Sequence, residues 1–226
     1  MSAFVLASAS PARLTTLRQA GIEPHVLVAD VDEPAVVDEY AARAGAALSA
    51  EDVALVLARA KAEIVAARVD DALVLGCDSV LELDGEVHGK PTGPEEATAR
   101  WQRMRGREGV LHTGHWLVDA RASAGAGSGA TIGAVASALV RFADVTDEEI
   151  RAYVATGEPL HVAGAFTIDG LGGPFVEGVD GDPHTVVGLS LPLLRRLLAD
   201  VGVTWPSLWR DFGNGSVVSP QRRSLS

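Results

Sequence analysis

Asp78 interrupts the most apolar strand-like run of the chain, Leu73-Val-Leu-Gly-Cys-Asp-Ser-Val-Leu-Glu-Leu83. A carboxylate among such neighbours loses its hydration. That is costly unless a cation, a metal or hydrogen-bond donors replace the water. Lys61 and Lys90 flank it in sequence, and the Asp84-Gly85 turn folds a second strand back along the first. If Leu83 pairs with Glu86, Ser79 pairs with Lys90, and this lysine lies one position from Asp78. Strand alternation puts Gly76, Asp78, Val80 and Glu82 on one face, with Gly76 leaving room beside the carboxylate. The competing account is a purely structural Asp–Lys pair. The arrangement otherwise suggests chemistry on an anion.

Three other segments carry groups of the same kind. Ser8-Ala-Ser-Pro-Ala-Arg13 runs from a strand end into a helix N-terminus, where free N–H groups and the helix dipole favour an anion. Ser8 and Ser10 add hydroxyl donors. Arg13 opposes the dipole in the first turn, a conflict that an arriving phosphate resolves. Asp30-Val-Asp-Glu33 offers hard oxygen ligands suited to Mg²⁺ or Mn²⁺ held together with substrate phosphates. Lys61 stands in the apolar stripe of a helix with Leu57, Ala58, Ile64 and Val65. Each also has a plain reading: an N-cap with a solvated arginine, a solvated acidic loop, and a lysine that snorkels to water.

Repeated glycines from Gly157 to Gly173 allow a backbone to lie close to a ligand, though Gly-rich hairpins do so without one. A Gly-x-x-x-x-Gly-Lys-Ser/Thr loop, a Gly-x-Ser-x-Gly elbow and a His-Glu-x-x-His helix are all missing. Cys77, with apolar strand neighbours, reads as a small buried residue rather than a nucleophile.

The elements that must position these groups follow from turn and cap signals. Phe4–Ala7 reads as a buried strand, followed by a helix with Ser10 as N-cap, Pro11 at its first position and Gly21 beyond its end. Ser49 and Asp52 form a capping box for a helix to about Arg68. Residues 72–83 and 86–88 form the hairpin around Asp84-Gly85. A helix from about Pro94 to Arg105 and strands at about 110–120 and 134–143 come next. The strands are joined by Ser123-Ala-Gly-Ala-Gly-Ser-Gly129, a flexible tip without chemistry. Thr146 and Glu149 cap a helix ending at Gly157; a Gly-rich stretch to Gly188 precedes a last helix over about 191–201. Residues 1–206 are expected to form one domain and 207–226 a disordered tail.

Length and composition fit this plan. The 226 residues carry 22% charged side chains, a net charge of −11 and a single cysteine. One cysteine excludes an internal disulfide and makes a reducing cytoplasm the expected location. No apolar run is long enough to span a bilayer, and the acidic balance disfavours a broad nucleic-acid surface. Neither a membrane nor a nucleic acid is therefore expected as a partner, while a homodimer stays admissible.

Read together, these segments resemble the Maf family of nucleoside triphosphate pyrophosphatases. The matches are Leu6-Ala-Ser-Ala-Ser-Pro-Ala-Arg13, Val31-Asp-Glu33, Ala58-Arg-Ala-Lys-Ala62, Gly76-Cys-Asp-Ser-Val80 and Gly89-Lys-Pro91, followed by Ala163-Gly-Ala-Phe-Thr-Ile-Asp-Gly170 and Thr185-Val-Val-Gly-Leu189. They fall in the family's order over about residues 4–200. The resemblance implies an elongated mixed α/β fold, like that of inosine triphosphate pyrophosphatases, with a central mixed sheet and a cleft between two lobes. It also implies cleavage of a nucleoside triphosphate to the monophosphate and pyrophosphate with Mg²⁺, Mn²⁺ or Co²⁺. Asp78 matches the proton acceptor, and Glu33 an acidic position that helps it hold the metal. Arg13, Lys61 and Lys90 would neutralise phosphate charge, with Ser8 and Ser10 holding the phosphates.

Specificity is where the chain departs from the pattern. The branch resembling dTTP/UTP pyrophosphatases has a second arginine at Ala12, threonine at Ser79 and glutamine at Asp169. The 7-methyl-GTP branch has a bulky residue, glutamine and glutamate there. The chain fits neither set, so broad or undetermined nucleotide specificity is expected. The rival readings are a catalytically weak nucleotide-binding regulator linked to cell division, and a hydrolase of another phosphate ester.

Overall fold

A computed structural model of the chain describes residues 3–122 and 127–209. The chain opens with β1 (Ala3–Leu6), α1 (Pro11–Gln19), β2 (His25–Val26), α2 (Glu33–Ala44) and α3 (Ala50–Ala66). A hairpin of β3 (Ala72–Leu83) and β4 (Glu86–His88) leads to α4 (Pro94–Met104), then to the long strands β5 (Glu108–Ala120) and β6 (Thr131–Phe142). After α5 (Asp147–Ala155) come short 3₁₀ turns, β7 (Val176–Asp180), α6 (Pro183–Val187), α7 (Leu191–Asp200) and a last 3₁₀ turn over Trp205–Leu208.

The caps expected from sequence form. Ser10 accepts from the Arg13 backbone N–H. Ser49–Asp52 and Thr146–Glu149 make reciprocal capping boxes. Asp84 and Gly85 both take positive φ, at 57° and 78°, which the tight hairpin turn requires. Most of the expected tip between β5 and β6, and all of the tail after Trp209, lie outside the described residues.

Three elements escape sequence reasoning. α2 starts inside what reads as an acidic loop: Asp32 is its N-cap, Pro34 lies in its first turn and Gly45 its left-handed C-cap. None of its residues is buried, so no apolar stripe announces it. β7 and α6 lie in the Gly-rich stretch, each only 5 residues long. β2, just ahead of the acidic cluster, is only two residues long and both are exposed.

The strands make one seven-stranded mixed sheet in the order β2-β1-β3-β5-β6-β7, with β4 also on β3. β1 runs parallel to β3 and pairs with Ala72–Leu75; β4 runs antiparallel and pairs with Leu81–Leu83. Both occupy the same edge of β3, since β5 holds the other edge from Ala72 to Glu82. Between them, residues 76–80 of β3 have no strand on that side. The gap in the ladder is where Asp78 sits.

Two apolar cores flank the gap. One joins Phe4, Leu6, Leu17, Leu73, Leu75 and Cys77 to α7 through Leu193, Leu194, Leu197 and Leu198. The other joins Leu81 and Leu83 to Trp101, Phe142, Tyr153 and Phe166. Trp101 is fully buried, donates its indole N–H to the Ala165 carbonyl at 2.8 Å, and meets Phe142 and Tyr153 edge-on. The fold is thus mixed α/β about a central mixed sheet, with one core packed on each half of β3.

Candidate active site

Close packing of α3 on the sheet sets the acidic half of the site. A Cβ on Gly76 would overlap the Ala58 carbonyl and lie 2.8 Å from the Ala62 amide nitrogen. A Cβ on Gly114, the β5 partner of Asp78, would overlap the Ala54 carbonyl. Small residues on both sides, Ala54, Ala58 and Ala62 against Gly76 and Gly114, let the helix backbone touch the strands. Gly76 does make room, as expected, but α3 fills it rather than leaving space beside the carboxylate.

This contact brings Lys61 over the sheet. Its Nζ lies 2.5 Å from Asp78 Oδ1 and 2.7 Å from Glu33 Oε1. Asp78 is buried, whereas Glu33, at the first turn of α2, keeps half its side chain in solvent. Burial pushes the Asp78 carboxyl above the usual carboxylate range, against the pull of Lys61 and Arg13. Burial also works against the Lys61 ammonium, but Asp78 and Glu33 outweigh it, and its pKa is raised. The lysine therefore stays charged beside a carboxyl that holds its proton more tightly than usual.

The hairpin lysine behaves differently. Leu83 pairs with Glu86 as the turn predicts, but pairing ends at Leu81 with His88. Beyond it the Gly89 carbonyl accepts from Gly164 N–H and Arg100 Nη1, which draws the chain away from β3. Ser79 pairs with Thr113 of β5 instead. Lys90 is exposed and makes no hydrogen bond or ion pair among the described residues, so the register expected to bring it to Asp78 is corrected.

Arg13 enters the gap from the other face. Its Nε donates to the Gly188 carbonyl at 2.7 Å, and its Nη1 to Ser8 Oγ at 3.0 Å and the Cys77 carbonyl at 2.8 Å. Its Nη2 donates to Ser79 Oγ at 3.0 Å. The guanidinium thus flanks Asp78 in sequence on both sides and satisfies an edge carbonyl that no strand reaches. Of its five N–H groups, one at Nη2 is left over. Ser8 Oγ also accepts from the Ser10 N–H at 3.2 Å. Neither serine hydroxyl spends its proton on another described residue, so both can donate to an anion at the α1 N-terminus.

The specificity positions differ in availability. Thr113 Oγ1 gives its only proton to the Thr185 carbonyl, at 2.8 Å. Ser79 Oγ must therefore donate to Thr113 Oγ1, also at 2.8 Å, and accept from Arg13. That leaves Ser79 an acceptor towards any ligand. Ala12 is half-buried, and Asp169 is exposed with one oxygen held by the Thr167 hydroxyl. Cys77 is fully buried and its thiol is pushed up to about 12 by burial, as its structural reading requires.

Sequence reasoning passed over Thr113 and His115, which back the groups that hold Arg13: Thr113 Oγ1 meets Ser79 Oγ, and His115 meets the Ser190 N–H beside Gly188. The available signal was a break in aliphatic character at His112-Thr-Gly-His115 in the middle of a strand. His115 is wholly buried: its Nε2 accepts from the Ser190 backbone N–H at 2.8 Å, and its Nδ1 donates to the Thr113 carbonyl at 3.0 Å. Burial, aided by Arg13, lowers its pKa to about 4. It is a neutral imidazole with its tautomer fixed.

Comparison with known proteins shows which family the chain resembles. A protein from Streptomyces coelicolor, "Nucleoside triphosphate pyrophosphatase", is 58% identical over 208 residues, covering 91% of this chain and 94% of its own. Proteins of the same name from Salinispora tropica and Leifsonia xyli are 58% and 55% identical, covering 91% and 92% of this chain and 87% and 97% of theirs. The solved Staphylococcus aureus Ham1 protein overlaps 62% of this chain and 72% of its own at 17% identity and a TM-score of 0.38. The model of the Maf family, described as "Maf-like protein", matches residues 3–201 and so spans every group placed around Asp78. The chain belongs to the Maf-like family.

Proposed function

We propose that the chain is a hydrolase that cleaves nucleoside triphosphates to the monophosphate and pyrophosphate, with Asp78 as general base. The observation that carries the reading is a buried carboxylate at a gap in the sheet, between the ammonium of Lys61 and the guanidinium of Arg13. The names of the relatives support the reaction class. A water oxygen adds to the α-phosphorus while Asp78 takes its proton. The bond from that phosphorus to the bridging oxygen breaks, and pyrophosphate leaves with the bridging oxygen. Burial raises the Asp78 pKa, and in its ionised form such a carboxyl is the stronger base.

Arg13, Lys61 and the hydroxyls of Ser8 and Ser10 face the phosphates, where fixed positive charge binds the triphosphate in its ground state and goes on neutralising the pyrophosphate as it leaves. Lys90, without a protein partner among the described residues, is available to the outer phosphates. Glu33 and Asp78 are the residues that would hold a divalent cation such as Mg²⁺, Mn²⁺ or Co²⁺. The donor chemistry fits: two carboxylates already converge on one cation, and among the described residues no cluster of three or more His, Cys, Asp or Glu forms a cage. Such a pair suits an ion that takes its other oxygens from water and phosphate. When bound, the ion neutralises phosphate charge and favours the hydroxide form of a bound water.

The base specificity is read as broad. Ala12 supplies no cation, Ser79 offers only an acceptor and Asp169 is open to solvent, so few groups discriminate one base from another. A silent nucleotide-binding role has no use for a base buried between two cations.

The test is product analysis with a panel of triphosphates and Mg²⁺, Mn²⁺ or Co²⁺. Pyrophosphate as first product, lost in a folded Asp78→Asn variant, is expected. Orthophosphate as first product, or full activity in that variant, overturns the reading.

A further inference from the structure

Arg13 is held from two sides, and the side opposite α1 is built by β5. The turn Gly188–Ser190, between α6 and α7, presents the Gly188 carbonyl to Arg13 Nε at 2.7 Å. Gly188 has φ of 107°, a conformation L side chains rarely adopt. A Cβ there would sit 3.0 Å from Arg13 Nε. The turn is pinned to the sheet at two places: Thr113 Oγ1 donates to the Thr185 carbonyl, and the Ser190 N–H donates to His115 Nε2. Thr113 and His115 are two apart on β5 and point to the same face.

We infer that His115 is a positioning residue for the triphosphate site, holding the Gly188–Ser190 turn so that its carbonyl fixes the Arg13 guanidinium. This rests on the reading of Arg13 as a phosphate ligand. His115 touches no substrate. Its contribution is the acceptor at Nε2, which no aliphatic residue of similar size supplies. Without it the buried Ser190 N–H is left unpaired, and the turn must shift to find a partner.

Asparagine and glutamine at position 115 separate this role from simple core filling. Glutamine carries a carbonyl about as far from the backbone as Nε2, whereas the asparagine amide stops at the position of Nδ1. We expect His115→Asn to raise KM for a nucleoside triphosphate about tenfold with a much smaller change in kcat, as loss of one buried hydrogen bond transmitted to a ground-state contact implies. His115→Gln is expected to restore most of that loss. In an Arg13→Ala background the added effect of His115→Asn is expected to shrink to within about twofold, because both changes remove one interaction.

Equal KM for the wild type and His115→Asn, with Arg13→Ala impaired, overturns the inference, as do fully additive effects. An unchanged KM in Arg13→Ala instead removes the phosphate-ligand reading, and the inference falls with it. Should His115→Asn not fold, His115→Leu takes its place. If neither folds while His115→Gln does, His115 serves folding alone, and the inference is overturned.

Discussion

Gly76 of β3 lies so close to Ala58 of α3 that a methyl group between them has no room. The obstacle is backbone on both sides, the Ala58 carbonyl and the Ala62 amide, so no side-chain rotation relieves it. Gly76→Ala is expected to destabilise the protein by about 1–3 kcal/mol or more, the range for overpacking a well-packed contact. Denaturant unfolding measures it. Activity should fall further than stability, because lifting α3 carries Lys61 away from Asp78.

Asp78→Asn keeps the size of the side chain and removes the proposed base. A fall in kcat of at least about 10²-fold is expected, with the unfolding midpoint nearly unchanged because Lys61 keeps Glu33 as partner. Steady-state pyrophosphate release and thermal unfolding are the two measurements.

Lys61 pulls the Asp78 pKa down against burial. Lys61→Met removes that pull, so the carboxyl should ionise only at higher pH and the acid limb of the kcat profile should move upward. A profile that stays in place would separate the limb from Asp78.

His115 gives a stability signature of its own. Its folded pKa of about 4 lies below the ordinary 6.5, with burial the main cause. Between those values the unfolded chain binds more protons than the folded one, so stability rises with pH across the window and is lost as pH falls through it. The span corresponds to up to about 3 kcal/mol at pH 7. Arg13 and Asp182 are the charged groups felt there. Unfolding free energies between pH 4 and 7 should show a shallower slope in His115→Gln.

Asp119 tests what the site does not need. It is fully buried on β5 and accepts from Arg121 Nε at 2.7 Å and from the Ser128 N–H at 2.7 Å, which lowers its pKa. It pairs with Leu73, five residues from Asp78 along β3. Asp119→Ala should cost about 1–3 kcal/mol by removing charge-assisted hydrogen bonds to the partly exposed Arg121 and Ser128, yet leave KM within about twofold in the folded fraction. The stability that Asp119 contributes is present above the ordinary carboxylate range and fades as pH falls through it.

How much of this was legible in the sequence depended on distance along the chain. Asp78 and Lys61 were visible because a carboxylate in an apolar strand and a lysine in an apolar helical stripe each break a short-range pattern. The caps at Ser10, Ser49 and Thr146 were visible for the same reason. Lys90 was misplaced because the register that holds at Leu83–Glu86 was extended past His88, where hydrogen bonds from Gly164 and Arg100 take over. α2 was missed because a helix that buries nothing has no periodicity to read. The surroundings of Arg13 combine residues 8, 77, 79 and 188, and no local pattern encodes a contact across 175 positions.

The gap between β1 and β4 has one more effect. An edge carbonyl of β3, that of Cys77, is satisfied by Arg13 rather than by a strand. Pulling Arg13 towards a phosphate would strand that carbonyl and three further acceptors, so the guanidinium has strong reason to stay where folding put it. On the proposed role of Arg13, a phosphate would meet a cation already oriented, with little reorganisation left for the moment of reaction. The missing strand works as a mould: folding alone sets the guanidinium in place, held by four protein acceptors.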